Sequence, residues 1–174
     1  MLIRATTECD VEAVDAIYAY AKKAFREAGI PQWQGSYPDA DTVHSDVAAG
    51  IGYVLCDDDG RVVGAAALTT TMEEAYNFIF DGSWLTPLEG PYVTVHRISV
   101  GEDSRGKGWS KRILAFAEEL ARKKGFASVR VDTHEQNAVM RGLLTSSGYV
   151  QCGTIVLLEG DEKGDPRLCY EKLV

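Results

Sequence analysis

Apolar residues recur at helical spacing early in this chain, between a possible capping box at Thr7-x-x-Asp10 and the segment Gly29-Ile-Pro31. A capping box marks a helix start, whereas glycine and proline end a helix. The sequence therefore predicts an amphipathic first helix between these two signals. Its apolar face is formed by Val14, Ile17, Ala21 and Phe25.

The same spacing returns in a second stretch that ends at Gly125. Two shorter helices are predicted at about residues 39–49 and 137–147, each followed by a glycine that favours a helix end, Gly50 and Gly148. The apolar face of the longer helix consists of Trp109, Ile113, Phe116, Ala117 and Leu120.

Short runs of apolar residues, bounded by turn signals, predict seven strands. Asp57-Asp-Asp-Gly60 lies between the second and third and predicts a hairpin. The last two strands flank residues 160–164 and are expected to form an antiparallel pair. The predicted strands are Leu2–Ala5, Ile51–Cys56, Arg61–Thr70, Tyr92–Val100, Phe126–Asp132, Tyr149–Leu158 and Pro166–Leu173.

The segment from Met72 to Gly90 allows several interpretations. Four aromatic residues lie within it, and the first three are spaced by two, as in an ordinary strand. The segment could equally serve as a substrate lid or as a dimer contact. The aromatic residues are Tyr76, Phe78, Phe80 and Trp84.

The order of elements, β-α-α-β-β-β-α-β-α-β-β, predicts a fold of the α/β (α+β mixed) class. We expect a mixed, mostly antiparallel central sheet flanked by helices on both faces. A length of 174 residues suits one domain with its own core, so residues 1–174 are expected to form a single domain.

Charge and composition narrow the classes of partner and compartment. The formal net charge of −8 argues against nucleic acid or an anionic membrane as the main partner. No apolar run is long enough to cross a membrane, and the N-terminus does not resemble a signal peptide. The cysteines are far apart and histidines are few, so we expect a cytoplasmic protein with reduced thiols and no metal site. The cysteines are Cys9, Cys56, Cys152 and Cys169.

The segment Arg105-Gly-Lys-Gly-Trp-Ser110 lies where a predicted strand gives way to the long helix. Glycines allow the backbone to approach a bound group closely, and the first N–H groups of a helix form an anion site. We therefore expect a phosphate group here. The alternative is a glycine-rich helix start that binds nothing, in which Arg105 and Lys107 are solvated surface charges.

A second nucleotide-binding pattern overlaps this loop. The seven residues 101–107 fit the start of a Walker A motif, and Asp132 could act as its partner carboxylate. However, Gly108 stands where that motif needs a serine or threonine to hold magnesium. A P-loop nucleotide-binding protein is therefore only a remote alternative.

The loop more closely resembles the Arg/Gln-x-x-Gly-x-Gly/Ala motif of the GNAT superfamily of N-acetyltransferases, with Arg105, Gly108 and Ser110 at the three defined places. Ser110 stands where glycine or alanine is usual, and because serine is also small the departure is mild. The preceding segment Ile98-Ser-Val100 and the order of elements over nearly the whole chain resemble the family as well.

The resemblance implies acetyl-CoA as cosubstrate and no metal. Backbone N–H groups of the loop would hold its pyrophosphate. The pantetheine arm would pair with Ile98, Ser99 and Val100 like an added strand, and Asn137 would hydrogen-bond the same arm. The loop residues concerned are Arg105, Gly106, Lys107, Gly108, Trp109 and Ser110.

The reaction implied is direct attack of a primary amine on the thioester within a ternary complex. His96 is the first candidate for the base, since it matches a histidine of the arylalkylamine N-acetyltransferases, a branch of the family. Histidine suits proton relay at neutral pH. Many family members carry a glutamate at the position of Thr94, which is absent here. His96 could equally be a buried histidine bound to backbone.

His134, beyond the end of a central strand, is the second catalytic candidate. It could instead cap the following helix, together with Asp132 and Thr133.

The clearest departure from the family is Leu144, which stands where a tyrosine commonly protonates the leaving thiolate. Another group (Ser146, Tyr92, Cys152 or water) could serve, or the thiolate could leave unassisted. A further alternative is a non-catalytic module of the same fold that binds or senses acyl-CoA. Tyr149 occupies the family's aromatic core position.

The loop between the first two helices is where GNAT proteins usually shape the acceptor site. Trp33 and Tyr37 are therefore candidate substrate-binding residues, aided by Gln32 and Gln34. Anchoring of a surface loop is the alternative role. The acceptor would be a small molecule or a peptide amine, and the protein a monomer or a homodimer.

Overall fold

The computed structural model describes all 174 residues and contains the predicted strands and helices in the predicted order. The strands are β1 (Leu2–Ala5), β2 (Gly52–Cys56), β3 (Val62–Thr69), β4 (Tyr92–Val100), β5 (Ser128–Thr133), β6 (Val150–Val156) and β7 (Pro166–Leu173). The helices are α1 (Val11–Glu27), α2 (Ala40–Ala49), α3 (Trp109–Lys124) and α4 (Ala138–Ser146). None of these helices is both long enough and apolar enough to cross a membrane.

The strands form one open sheet in the order β1-β2-β3-β4-β5-β7-β6. The pairs β1–β2, β2–β3, β5–β7 and β6–β7 are antiparallel. Strands β4 and β5 are parallel, as expected for two strands joined through a helix, here α3. The mixed, mostly antiparallel sheet expected from the sequence is confirmed.

The chain divides into two compact units. The first comprises Met1–Leu68 and His96–Ile113, and the second comprises Thr69–Val95 and Leu114–Val174. Both β4 and α3 pass from one unit into the other. The residues predicted to form the phosphate loop all belong to the first unit.

Capping side chains fix the start of α2 and that of a 3₁₀ turn, Glu8–Asp10, which leads directly into α1. The Asp10 carboxylate accepts hydrogen bonds from the Thr7 N–H at 2.8 Å and from the Thr7 hydroxyl at 2.7 Å. The Asp39 carboxylate accepts from the Thr42 N–H at 3.0 Å, and Gly50 ends α2 in the left-handed conformation. The core beside these helices contains Val11, Val14, Tyr18, Val43, Val54, Cys56 and Ala65.

In the second unit, the segment after β3 is not a strand, so the strand interpretation of its alternating aromatic residues is wrong. Residues Glu74–Phe78 form a 3₁₀ turn, and Phe80 makes a single bridge to Thr154 of β6. The Trp84 indole N–H donates to the Tyr76 carbonyl at 2.9 Å, and both rings are buried. Phe78 remains exposed. Long-range contacts of two of the four aromatic residues, rather than a strand period, thus order this segment.

A buried ion pair holds the next part of the segment against β5 and β7. Arg130 and Glu171 are both fully buried, with the Arg130 Nε 3.0 Å from a Glu171 carboxylate oxygen. The same carboxylate accepts hydrogen bonds from the Ser128 and Thr86 hydroxyls and from the Leu85 and Thr86 N–H groups. Burial alone would raise the pKa of Glu171, but these donors outweigh it and lower that pKa.

Replacing Glu171 with alanine should destabilise the protein by about 3–5 kcal/mol, because the Arg130 guanidinium is left as an unpaired buried charge. The free energy of unfolding, measured with urea at neutral pH, checks this value. Exposed Glu159 provides the control, since Glu159→Ala should change stability by less than about 0.5 kcal/mol.

The contribution of Glu171 should also depend on pH in a defined direction. Its pKa is lowered on folding, so the stabilisation is complete above about pH 4.3, the ordinary value for glutamate. It is lost as the pH falls further, so wild type and Glu171→Ala should converge in stability toward acid. A difference that grows toward low pH would contradict this arrangement.

Candidate functional site

The connection from β4 to α3 places two left-handed glycines before the helix. Residues Glu102–Ser104 form a 3₁₀ turn, and Gly106 and Gly108 follow with φ angles of 72° and 77°. The Arg112 N–H reaches the Gly108 carbonyl at 3.4 Å, where the helical hydrogen bonds begin. The first N–H groups of α3 therefore have no partner within the helix, and they lie at its positive end.

The loop is open to solvent from Arg105 to Gly108. A Cβ atom added at Gly106 or Gly108 would meet no atom within 4 Å, so space alone does not require glycine there. The positive φ angles do require it, since left-handed backbone is unfavourable for residues with a Cβ. The glycines thus shape the backbone around the free N–H groups.

The charged side chains of the loop point to other partners or to solvent. The Arg105 guanidinium donates to the Tyr20 hydroxyl of α1 at 3.2 Å, and Lys107 is exposed. The Arg112 guanidinium lies 5.5 Å from the ring centre of Trp109. Backbone N–H groups, rather than these side chains, are therefore the main donors that the loop offers to an anion.

A pocket of about 290 Å³ adjoins the loop within the first unit. Its lining carries both signs of charge, which does not favour a simple anion. The lining residues are Asp57, Arg61, Val62, Val63, Gly101, Glu102, Asp103, Ser104, Lys107 and Trp109.

The strand before the loop contains an irregular residue at its centre. Arg97 has a φ angle of 53°, which is left-handed and unusual for a residue other than glycine. Such a residue within a strand is typical of a β-bulge and interrupts the alternation of side chains. Regular strand alternation would place His96 and Ile98 on one face of β4, and Arg97 interrupts that alternation between them. His96 and Ile98 are both half-buried, whereas Thr94 is fully buried.

The parallel ladder between β4 and β5 is short. Its three residue pairs are Tyr92–Ser128, Val93–Val129 and Thr94–Arg130. The ladder thus ends four residues before Ile98, the first of the three residues predicted to pair with the pantetheine arm. Of these, Ser99 is buried, and Ile98 and Val100 are half-buried.

The Arg97 guanidinium joins two further elements of the first unit. Its Nη2 lies 2.6 Å and 2.7 Å from the two carboxylate oxygens of Asp46 in α2. Its Nη1 donates to the Tyr37 hydroxyl at 2.7 Å. Burial alone would lower the pKa of Arg97, but Tyr37 and Asp46 outweigh it and raise that pKa. Neither Arg97 nor Asp46 was predicted as a site residue, and the one signal for Arg97 was a charged side chain within a predicted strand.

Trp33 supports the loop between α1 and α2 from within the unit. It is only 8% exposed, and its ring centre lies 6.3 Å from that of Tyr18 and 5.4 Å from that of Phe25. Tyr37 is half-buried and contacts Arg97. Packing therefore accounts for Trp33, and Tyr37 is the more accessible of the two candidate acceptor residues.

In the second unit, His134 and Asn137 lie between β5 and α4. The His134 Nδ1 accepts from the Gln136 N–H at 3.2 Å, and the Asn137 side-chain oxygen accepts from the Met140 N–H at 3.0 Å. Asn137 is thus the N-cap of α4, and the capping role considered for Asp132, Thr133 and His134 is wrong. Asp132 instead accepts from the Tyr76 hydroxyl at 2.8 Å.

These contacts limit what the two residues can do. Since Nδ1 of His134 accepts a hydrogen bond, a neutral ring carries its hydrogen on Nε2, which can donate a hydrogen bond to a ligand. Since the Asn137 oxygen caps α4, a hydrogen bond to a cofactor must come from its NH₂ group.

Several groups considered as an acid in place of Leu144 already donate elsewhere. Leu144 itself is fully buried in α4. The Ser146 hydroxyl donates to the Leu143 carbonyl at 3.1 Å, and the Cys152 thiol donates to the Val150 carbonyl at 3.4 Å. Burial raises the pKa of Cys152. Tyr92 is different, because its hydroxyl accepts from the Glu73 N–H at 2.9 Å and retains its own proton.

Tyr149 packs in the interior, consistent with the core role expected from the sequence. It is 4% exposed, and burial raises its pKa. No group of three or more histidine, cysteine, aspartate or glutamate side chains is arranged to hold a metal ion, and all four cysteines are free thiols.

Several solved structures are similar to this chain over nearly its whole length. A GNAT family acetyltransferase from Streptococcus agalactiae 2603 is 29% identical with a TM-score of 0.87, covering 99% of this chain and 95% of its own. A ribosomal-protein-alanine N-acetyltransferase from Brucella melitensis is 22% identical with a TM-score of 0.69, covering 100% of both chains. A phosphinothricin acetyltransferase from Sinorhizobium meliloti, solved in complex with acetyl-CoA, is 16% identical with a TM-score of 0.65, covering 99% of this chain and 88% of its own.

No curated protein matches the sequence. However, the family model described as acetyltransferase (GNAT) family matches residues 14–149, which is more than half of the chain and includes both the glycine loop and α4. The GNAT interpretation of this loop therefore takes the place of the P-loop interpretation. The chain belongs to the acetyltransferase (GNAT) family.

Proposed function

We propose that this protein transfers the acetyl group of acetyl-CoA to a primary amine, by direct attack within a ternary complex. The observation that carries the proposal is the exposed loop at the start of α3, with its two left-handed glycines and free N–H groups. We further propose that both compact units belong to one catalytic domain, because the family match takes in residues of each.

Backbone N–H groups between Arg105 and Ser110 hold the pyrophosphate of acetyl-CoA in this proposal. A diphosphate needs several donors close together at a positive electrostatic potential, which a helix start provides. The side-chain contact of Arg105 with Tyr20 supports a backbone site, since that guanidinium already has a partner.

The pantetheine arm lies along Ile98, Ser99 and Val100 in this proposal. The support is the short parallel ladder of β4, which ends at Thr94 and does not include these residues.

His96 takes the proton of the attacking amine, directly or through water. The amine must be neutral to attack, and histidine is the side chain best suited to relay protons near neutral pH. A backbone N–H of β4 near Ile98 stabilises the oxyanion. His134 is the second candidate, and to accept a proton its Nδ1 would first have to give up the hydrogen bond from the Gln136 N–H.

The acceptor is a small-molecule or peptide amine bound beside residues 32–38. Tyr37 supplies a ring and a hydroxyl there, while Trp33 supports the loop from below. The named acceptors of the Brucella and Sinorhizobium proteins, a ribosomal protein and phosphinothricin, show that this fold serves both kinds of amine. The acidic net charge of −8 favours a cationic acceptor.

A non-catalytic acyl-CoA-binding module is the second candidate function. Leu144 favours it, because a buried leucine cannot protonate the leaving thiolate. Incubation with acetyl-CoA and a panel of amines separates the two functions. Release of CoA and an acetylated amine supports the enzyme, whereas tight binding without turnover supports the module. Chromatography should quantify CoA, because exposed Cys9 reacts with thiol reagents.

Replacing Gly108 with alanine should weaken acetyl-CoA binding by about tenfold, because the left-handed backbone at its φ of 77° is strained by 1–2 kcal/mol with a Cβ present. Isothermal titration calorimetry measures the effect. Gly164, with a φ of 94° in the β6–β7 turn, provides the matched control. Gly164→Ala should lower stability by a similar amount and leave acetyl-CoA affinity unchanged. Equal affinities for the two variants would argue against the loop as the cofactor site.

Replacing His96 with alanine should lower kcat/KM for the amine by at least about tenfold, the lower range of general-base catalysis. Affinity for acetyl-CoA should not change. The chain provides a matched control in His44, which is exposed on α2 and contacts Glu8. His44→Ala should retain full activity. A loss seen with His134→Ala and not with His96→Ala would assign the base to His134.

A further inference from the structure

Arg97 holds an unfavourable backbone conformation at a critical position of β4. Its φ of 53° lies in the left-handed region, which residues with a Cβ adopt only when the surrounding structure imposes it. Arg97 directly follows His96 and directly precedes Ile98. The directions of both neighbours therefore depend on the conformation of Arg97.

The guanidinium of Arg97 fixes this conformation through two separate segments. Asp46 accepts two hydrogen bonds from Nη2, and Tyr37 accepts one from Nη1. The Arg97 and Asp46 side chains are only 11% and 9% exposed. The strand is thereby tied to helix α2 and to the loop between α1 and α2 at the same time.

Stability alone does not explain this choice of residues. Buried ion pairs are often replaceable by apolar side chains without loss of stability, because desolvation offsets much of their attraction. Here the Arg97 Nε is also buried without a hydrogen-bond partner, so the guanidinium is incompletely satisfied. A buried and incompletely satisfied charge at a strained position is typical of a functional site.

We propose that Arg97 is a positioning residue that couples the acceptor loop to the catalytic strand. Through Asp46 it holds the backbone of His96 and Ile98 in the direction that the transfer requires. Through Tyr37 it transmits the position of the acceptor loop to the same two residues. The proposal rests on the proposed function for its kinetic consequences, whereas the coupling itself is a property of the folded chain.

The test uses two variants that differ in how much of the cluster they remove. Tyr37→Phe deletes one acceptor and leaves the Arg97–Asp46 pair intact, so the variant should fold. Arg97→Lys keeps the positive charge and loses the second donor group. Tyr170→Phe serves as control, because it removes a hydroxyl hydrogen-bonded to Gln151 at 3.2 Å in the second unit.

In steady-state kinetics at saturating amine, Tyr37→Phe and Arg97→Lys should each lower kcat by about tenfold or more, since small misplacements of reacting groups slow transfer strongly. The KM for acetyl-CoA should stay within about twofold in both, which identifies a loss of positioning rather than of cofactor binding. Tyr170→Phe should match the wild type. A purely structural role would lower Tm and leave the kcat of the folded enzyme unchanged, which would overturn the proposal.

A second measurement does not depend on turnover. The backbone amide resonances of His96 and Ile98 should shift in Tyr37→Phe, although neither residue is altered, and they should not shift in Tyr170→Phe. If no amine is acetylated by the wild type, the proposed function fails and these resonances alone decide the coupling. Unmoved His96 and Ile98 resonances in Tyr37→Phe would overturn it.

Discussion

The first turn of α3 imposes the constraint on which the site depends. A helix begins with N–H groups that no preceding turn can satisfy, and here the preceding residues are glycines in left-handed conformations on an exposed loop. An anion is the natural partner for such a group of donors. Strand β4 leads into this loop, so the strand and the loop form one continuous segment of the chain. Membership of the GNAT family agrees with that geometry.

Local signals in the sequence were sufficient to predict the helices and strands and their order along the chain. Capping residues such as Asp39 and terminating glycines such as Gly50 act within one helical turn, so their effect is visible in the sequence itself. Strand boundaries shifted by one or two residues, as in β5, which begins at Ser128 rather than Phe126. The sheet class followed from the order of elements, because a parallel pair needs a helix between its strands.

Contacts between residues far apart in the sequence could not be predicted. The aromatic residues after β3 alternate like a strand, but Tyr76 bonds Asp132 and the Arg130 guanidinium lies 4.3 Å from the ring centre of Trp84. Arg97 and Asp46 are 51 positions apart, and nothing in either neighbourhood indicates the pairing. The N-cap of α4 could not be predicted either, because Asp132, Thr133 and Asn137 all have side chains suited to capping. The end of β5 at Thr133 decides which of them is used.

The three tryptophans differ in a way that makes the protein's own emission informative. Trp33 and Trp84 are each 8% exposed, in the first and second unit respectively. Trp109 is half-buried at the start of α3, beside the guanidinium of Arg112. A water-soluble quencher such as iodide would therefore reach the indole of Trp109 ahead of the other two. Native fluorescence thus contains a shielded background from the two interiors and an accessible component that originates at the glycine loop.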